Sequence, residues 1–315
     1  MSDNQHSQLE HMPITFFAIV MGVMGLALAA HAGGFETVAI WVRWAGIVGF
    51  GAIALAYLAK AVRYPAAVVG EWRHPVRIAF FPAISISLLL IAAALRGTDP
   101  EAARIVWWIG MLGQGVLTLS VISSWIGHRS FQVGHLTPAW FIPAVGNVIV
   151  PVAGVGLGHP EISWLFFSAG MIFWLVLLTL VFNRLVFHDP IPARLFPTLV
   201  ILIAPPAVGF VAWLEIAGGV DHFGHFLLST AYVFALLVIG QMPKILRLPF
   251  SMAFWALSFP VAALSIGSFR YATLTGSAAH HGIGLLALAI LAVIVGGLSV
   301  RTVLGMIRGE ICRPE

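Results

Sequence analysis

Charge and cysteine are what this sequence has least of. Only 9% of its 315 residues are charged, and it holds one cysteine, Cys312. A single cysteine excludes an internal disulfide and any multi-cysteine metal cluster. The scarcity of charge goes with 60% hydrophobic residues and a mean hydropathy of +0.99. A soluble domain of this length could not hide so much apolar surface, so the composition is that of a polytopic membrane protein. The longest polar stretch is the tail Met1 to His11, which is acidic and polar rather than basic and then apolar, so no cleaved signal peptide is expected. The net charge of +4 is scattered among loops with no basic stripe, which argues against nucleic acid as a partner. HExxH, GxSxG, glycine-rich phosphate loops and paired mid-membrane carboxylates are all missing. No enzyme chemistry, metal or cofactor is expected.

What the chain does have is ten apolar windows, each about the 20 residues that a helix needs to cross a bilayer. They fall near 13–31, 38–62, 76–95, 103–124, 139–156, 162–184, 195–217, 223–241, 251–273 and 282–304. Backbone groups in lipid must pair internally and no strand alternation is present, so these are read as helices. The domain reading is an N-terminal tail (1–12), a ten-helix transmembrane pore domain (13–304) and a C-terminal tail (305–315). Twelve of the sixteen basic residues fall on one side: Lys60, Arg63, Arg73, Arg77, Arg129, Arg184, Arg194, Lys244, Arg247, Arg301, Arg308 and Arg313. Arg43, Arg96, Arg104 and Arg270 fall on the other, which predicts both termini in the cytoplasm. Ten of the eleven tryptophans lie near proposed span ends, as interfacial anchors would, and Trp174 lies mid-span, packed between helices.

Proline divides the windows into two kinds. Pro13, Pro82, Pro143, the pair Pro205 and Pro206, and Pro260 fall in the odd-numbered spans, and the even-numbered windows carry none. Proline lacks an N–H and would free the carbonyl four residues earlier, here Ile78, Ala139, Ile201 and Ala256. In lipid such a carbonyl should face a polar path or a neighbouring donor. Small or weakly polar residues lie nearby: Gly22 and Gly25, Ser85, Gly146 and Asn147, Gly209, and Ser265. The alternation predicts five hairpins of one bent and one straight helix, with the bent helices ringing a central path. No ionisable residue lies at the centre of a window; Arg43, Glu215 and Arg270 map near the outer ends and His280-His281 to an outer loop. Asn147 is the deepest strongly polar side chain. A path without fixed charge suits diffusion better than ion-coupled transport.

Five segments carry a resemblance: HPVRIAFFPAIS (74–85), PAWFIPAVGN (138–147), FFSAGMIFWLVL (166–177), LIAPPAVGF (202–210) and FWALSFPVAALSIGS (254–268). In this order and spacing the chain resembles the tellurite-resistance/dicarboxylate transporter family, which takes in bacterial tellurite-resistance proteins and the plant guard-cell slow anion channels. The resemblance implies an all-α fold of ten transmembrane helices, as five hairpins in a quasi-fivefold ring, with the odd helices lining a central pore. It implies a multi-pass protein of the bacterial inner membrane, surrounded by lipid, forming a homotrimer with one pore per subunit. It implies a passive channel for small anions such as chloride or nitrate, occluded by a phenylalanine that matches Phe259. Phe259, Pro260 and Phe81 (or its neighbour Phe80) are the expected gate. Gly22, Gly25, Pro82, Ser85, Pro143, Gly146, Asn147, Pro205, Pro206, Gly209 and Ser265 are the expected pore lining. The rival expectation is a secondary carrier or exporter for C4-dicarboxylates or tellurite-type oxyanions.

Overall fold

The computed structural model describes residues 8–127 and 131–312. Arg129 and Arg313, two of the topology-setting cations, and the start of the N-terminal tail lie outside the described residues. Among the described residues the chain is helical and has no strand. Eleven α-helices follow in order: α1 (Phe17–Ala32), α2 (Glu36–Arg63), α3 (Pro65–Arg73), α4 (Ala83–Leu95), α5 (Pro100–Ile126), α6 (Phe141–Gly154), α7 (Pro160–Phe187), α8 (Ala204–Ala217), α9 (His222–Ile245), α10 (Ser258–Thr275) and α11 (Ala278–Ile307). Each of the ten expected windows holds one of them, and α3 is additional. Among the described residues, nine helical segments are long and apolar enough to cross a membrane, and Pro138–Gly154 is a shorter apolar one.

The prolines act at the entries of the α-helices and not in the middle of long ones. Each odd span opens as a 3-10 segment and turns into an α-helix near its proline. The 3-10 segments are Ile14–Phe16, Arg77–Phe80, Pro138–Trp140, Ala193–Ile203 and Met252–Leu257. Pro82 immediately precedes α4, and Pro143, Pro205, Pro206 and Pro260 sit in the first turns of α6, α8 and α10. There an N–H would have no intrahelical partner, so its loss costs little. Three of the four carbonyls expected to be freed are bonded locally: Phe81 N–H donates to Ile78, Phe141 to Ala139 and Ala204 to Ile201. The α portions of the odd spans have 16, 13, 14, 14 and 18 residues. At 1.5 Å per residue all five fall short of the ~30 Å bilayer core, and the 3-10 lead-in extends each of them. The even helices, with 24 to 30 residues, cross alone. Three of them contain a proline: Pro100 and Pro160 start α5 and α7, and Pro243 lies in the last turn of α9, all outside the narrower windows 103–124, 162–184 and 223–241.

Burial separates the two sets. In the four long odd spans 67–89% of the core window is buried, against 11–39% in the five even ones. Every residue of α6 except Val152 is buried. Each odd helix packs closely on the even helix that follows it, and the odd helices also pack on one another: α1 on α4, α4 on α6, α6 on α8, α8 on α10, and α10 back on α1. Close approach rests on small residues, as in membrane packing generally. A Cβ at Gly22 would overlap the Ser258 side chain, and one at Gly25 would lie 2.8 Å from Ala262 Cβ. The outward faces of the even helices expose Leu55, Leu58, Ile105, Leu119, Leu165, Leu236 and Val293, a surface suited to lipid.

Two groups of side chains depart from their expected places. Trp107 and Trp255 are not interfacial anchors: both are buried, and their indole N–H groups donate to Val150 O and Thr302 Oγ1. Trp41 and Trp44 are exposed as anchors should be. The stretch after α2, expected as a charged cytoplasmic loop, forms α3, which Pro65 starts at its first position. Glu71 of α3 is buried against Lys60. The pair is completed by Tyr57 Oη–H donating to Glu71, the Ile14 N–H donating to Glu71, and Lys60 Nζ donating to Met12 O. This arrangement pins the start of the first span.

Candidate functional site

Where the 3-10 segments give way to α-helices, the odd spans enclose a cavity of about 40 Å³. Its wall takes Ala18 and Met21 from the first span, and Phe80, Ala83 and Ile86 from the third. Ile142 and Val145 come from the fifth, Ile201 and Ala204 from the seventh, and Trp255, Ala256, Phe259 and Pro260 from the ninth. All five odd spans contribute and no even span does. The reason is local. Four alanines at matching depth leave space that larger side chains would fill, and the rings of Phe80, Trp255 and Phe259 partly close it. Phe259 and Phe80 are buried. No side chain of the wall is ionisable, and the polar edge of Trp255 is turned away to Thr302. Such a space is large enough to hold water but offers it no polar side-chain partner.

Of the residues expected from sequence, Phe259 and Pro260 line this cavity. Phe81 turns away and meets Trp72 of α3 edge-on, at 4.9 Å between ring centroids; its neighbour Phe80 faces the cavity. Gly22 and Gly25 lie in the contact of α1 with α10. Pro82, Pro205 and Pro206 are buried at their junctions and Gly209 lies near Met171 and Leu227. Ser265 Oγ–H donates to Gly284 O on α11, away from the cavity.

The remaining expected residues, Ser85, Pro143, Gly146 and Asn147, belong to one polar knot built around a side chain that the proline pattern did not point to, Gln114 of α5. Ser85 Oγ donates to Gln114 Oε1 at 2.7 Å. Gln114 Nε2 donates to Pro143 O at 3.0 Å and to Thr118 Oγ1 at 2.9 Å. Asn147 Nδ2 donates to the same Pro143 carbonyl at 2.7 Å and to Thr118 at 3.1 Å. Gly146 makes room, since a Cβ there would overlap the Gln114 amide. The sequence signal for Gln114 was its place in the middle of the window 103–124, where an amide must find partners.

At the other end of the odd helices lies a charged cluster. Arg96, capping α4, donates through Nη1 to Glu215 Oε2 of α8 at 2.8 Å and to Val152 O of α6 at 3.0 Å. Arg270 of α10 donates through Nη2 to Glu215 Oε1 at 3.0 Å. Arg43 of α2 caps Ala94 O near the end of α4 at 3.2 Å. Among the described residues no group of three or more metal-ligating side chains occurs.

The family SLAC1, described as voltage-dependent anion channel, matches residues 11–303. The S-type anion channel SLAH3 of Arabidopsis thaliana is 27% identical, across 96% of this chain and 50% of that protein. The tellurite resistance protein TehA homolog of Haemophilus influenzae is also 27% identical, across 95% of this chain and 92% of that protein. An uncharacterized transporter of Methanocaldococcus jannaschii is 24% identical, across 81% and 83%. The chain thus spans half the length of the plant channel and nearly all of the Haemophilus protein. The resemblance carried by the five segments is borne out.

Proposed function

The chain belongs to the SLAC1 voltage-dependent anion channel family, and from that premise we propose that it is a multi-pass pore through which small anions, chloride or nitrate, pass passively when Phe259 leaves the path. The observation that carries this reading is the cavity wall, drawn from all five odd spans and none of the even ones, with Phe259 and Pro260 in it. The cyclic packing of α1, α4, α6, α8 and α10 supports a ring of five hairpins around that path. A ring of apolar side chains at a narrow point gates by steric block and by dewetting, without needing a titrating group. The reading includes a homotrimer in the bacterial inner membrane, with one pore per subunit and both termini cytoplasmic.

A carrier for C4-dicarboxylates or oxyanions is the competing reading, and the name of the Haemophilus relative keeps it in view. A proton-coupled carrier needs an ionisable group on the path. The cavity wall has none.

The test is recording in planar bilayers with purified protein under a chloride or nitrate gradient. Phe259→Ala is expected to pass unitary currents well above the parent at matched protein density. Equal currents would remove Phe259 as the occlusion. Electroneutral dicarboxylate exchange without current would replace the channel by the carrier.

A further inference from the structure

The odd helices run in one direction, so their C-terminal ends gather at one end of the bundle. A helix C-terminus carries roughly half a negative charge on carbonyls without intrahelical partners. Five such ends around one opening would repel an anion. The 3-10 starts at the opposite end do nothing to relieve this. An anion path therefore needs positive charge placed where these helices finish.

Arg96 and Arg270 are placed there. Arg96 caps α4 and neutralises a last-turn carbonyl of α6, Val152. Arg270 lies on α10 and Glu215 near the end of α8. The network therefore joins four of the five odd helices. Helices α4 and α8 both pack on α6, so the Arg96–Glu215 pair reaches across the end of α6 rather than along one helix contact. The carboxylate is the covered member, 12% exposed, under guanidiniums that are 29% and 40% exposed. Two cations share one anion, which leaves an excess of one positive charge. Among the described residues Arg270 has no hydrogen-bond partner other than Glu215, and a guanidinium has five N–H donors. The backbone after α6 makes room for the other guanidinium: a Cβ at Gly156 would lie 2.7 Å from Arg96 Nη1.

We propose that Arg96 and Arg270 form an anion-recruiting site at this opening, with Glu215 setting how strongly it holds a small monovalent anion. This rests on the channel reading above. The anion would meet guanidinium N–H donors not engaged by Glu215, and the excess charge would offset the helix ends. A carboxylate between the two cations keeps the site from becoming a trap, since conduction requires binding weak enough to release.

A plain structural tie makes a different forecast, and the two are separated by sign. Unitary conductance is recorded in the Phe259→Ala background at about 0.01 M and about 1 M salt, where the Debye length is about 30 Å and about 3 Å. Arg270→Gln is expected to lower conductance several-fold at low salt and little at high salt, and Arg270→Lys to restore most of it. Glu215→Gln is expected to raise low-salt conductance, because the excess charge doubles. Both substitutions lowering conductance at both salt concentrations, or neither changing it, would overturn the proposal. If Arg270→Gln does not fold, Glu215→Gln alone decides: a rise supports the site and a fall refutes it. If Phe259→Ala passes no current, the channel reading fails separately. The site is then read by nitrate-for-gluconate exchange at constant ionic strength. Stabilisation of the parent against heat that Arg270→Gln loses supports the site. Stabilisation absent from the parent, or equal in both, overturns it.

Discussion

Lys60 and Glu71 meet at 2.9 Å with side chains only 2% and 3% exposed. An ion pair this dry is held by further hydrogen bonds, here from Tyr57 and the Ile14 N–H to Glu71 and from Lys60 to Met12 O. Removing one member leaves the other charge buried without its partner, which costs about 3–5 kcal/mol. Glu71→Ala and Lys60→Met are each expected to destabilise the folded protein by that order. The double variant is expected to lose much less than the sum, because the charge conflict disappears with both. A double-mutant cycle in thermal or denaturant melts checks this, and strict additivity would show that the two do not act as a pair.

Gly146 bears on the polar knot. A methyl group there pushes into the Gln114 amide and disturbs its bonds to Ser85 and Pro143. A buried polar group left unsatisfied costs about 1–3 kcal/mol. Gly146→Ala is therefore expected to lower the melting temperature, and adding Gln114→Ala to recover part of the loss by clearing the overlap. A Gly146→Ala protein as stable as the parent would show the knot to be slack.

Cysteine accessibility tests the path directly. In a background with Cys312→Ser and Phe259→Ala, cysteines at Ala18, Ala83, Val145 and Ala204 are expected to react with a small charged thiol reagent. These positions line the cavity. Cysteines at Leu119, Leu175 and Val293 on the exposed faces of even helices are expected to stay inert in lipid. Equal labelling of both sets would dismiss the inner path.

Asp221 caps α9 outside the apolar segments. Its carboxylate accepts from the Gly224 N–H and from Trp213 Nε1–H, each at 2.8 Å. The Gly224 backbone bond first, and the Trp213 bond second, hold its pKa below the ordinary 3.8. A folded pKa lower than the unfolded one gives stability that is complete above the unfolded value and lost as pH falls through the folded value. Asp221→Ala is expected to melt below the parent at neutral pH, with the gap closing as the solution becomes acidic past 3.8. Melting curves of both proteins over that range decide it. A gap that persists unchanged in acid would show that the carboxylate charge is not what caps the helix.

The sequence alone determined the class of the protein, its ten apolar segments, its family and the division into proline-bearing and straight spans. Those properties are local: hydropathy adds up along the chain, and a proline acts on its own turn. Phe259 was singled out because the residues around it resemble a family segment, and it lies on the cavity. What only the tertiary structure decided is which side of each helix faces inward. Successive residues on a helix point about 100° apart, so Phe80 and Phe81 have the same neighbours in sequence and opposite fates in the fold, one on the cavity and the other on Trp72. Gly22, Ser85, Gly146 and Ser265 were found in the right spans and on different faces, because nearness to a proline gives depth but not rotation. Lys60 was legible only as an inner-side cation and Glu71 not at all, because their burial depends on α3 folding back on α2 and on the chain before α1. Arg96 and Glu215 are 119 residues apart in the chain. Hydropathy carries no record of that distance being closed, since the pair exists only once α4 and α8 have both docked on α6.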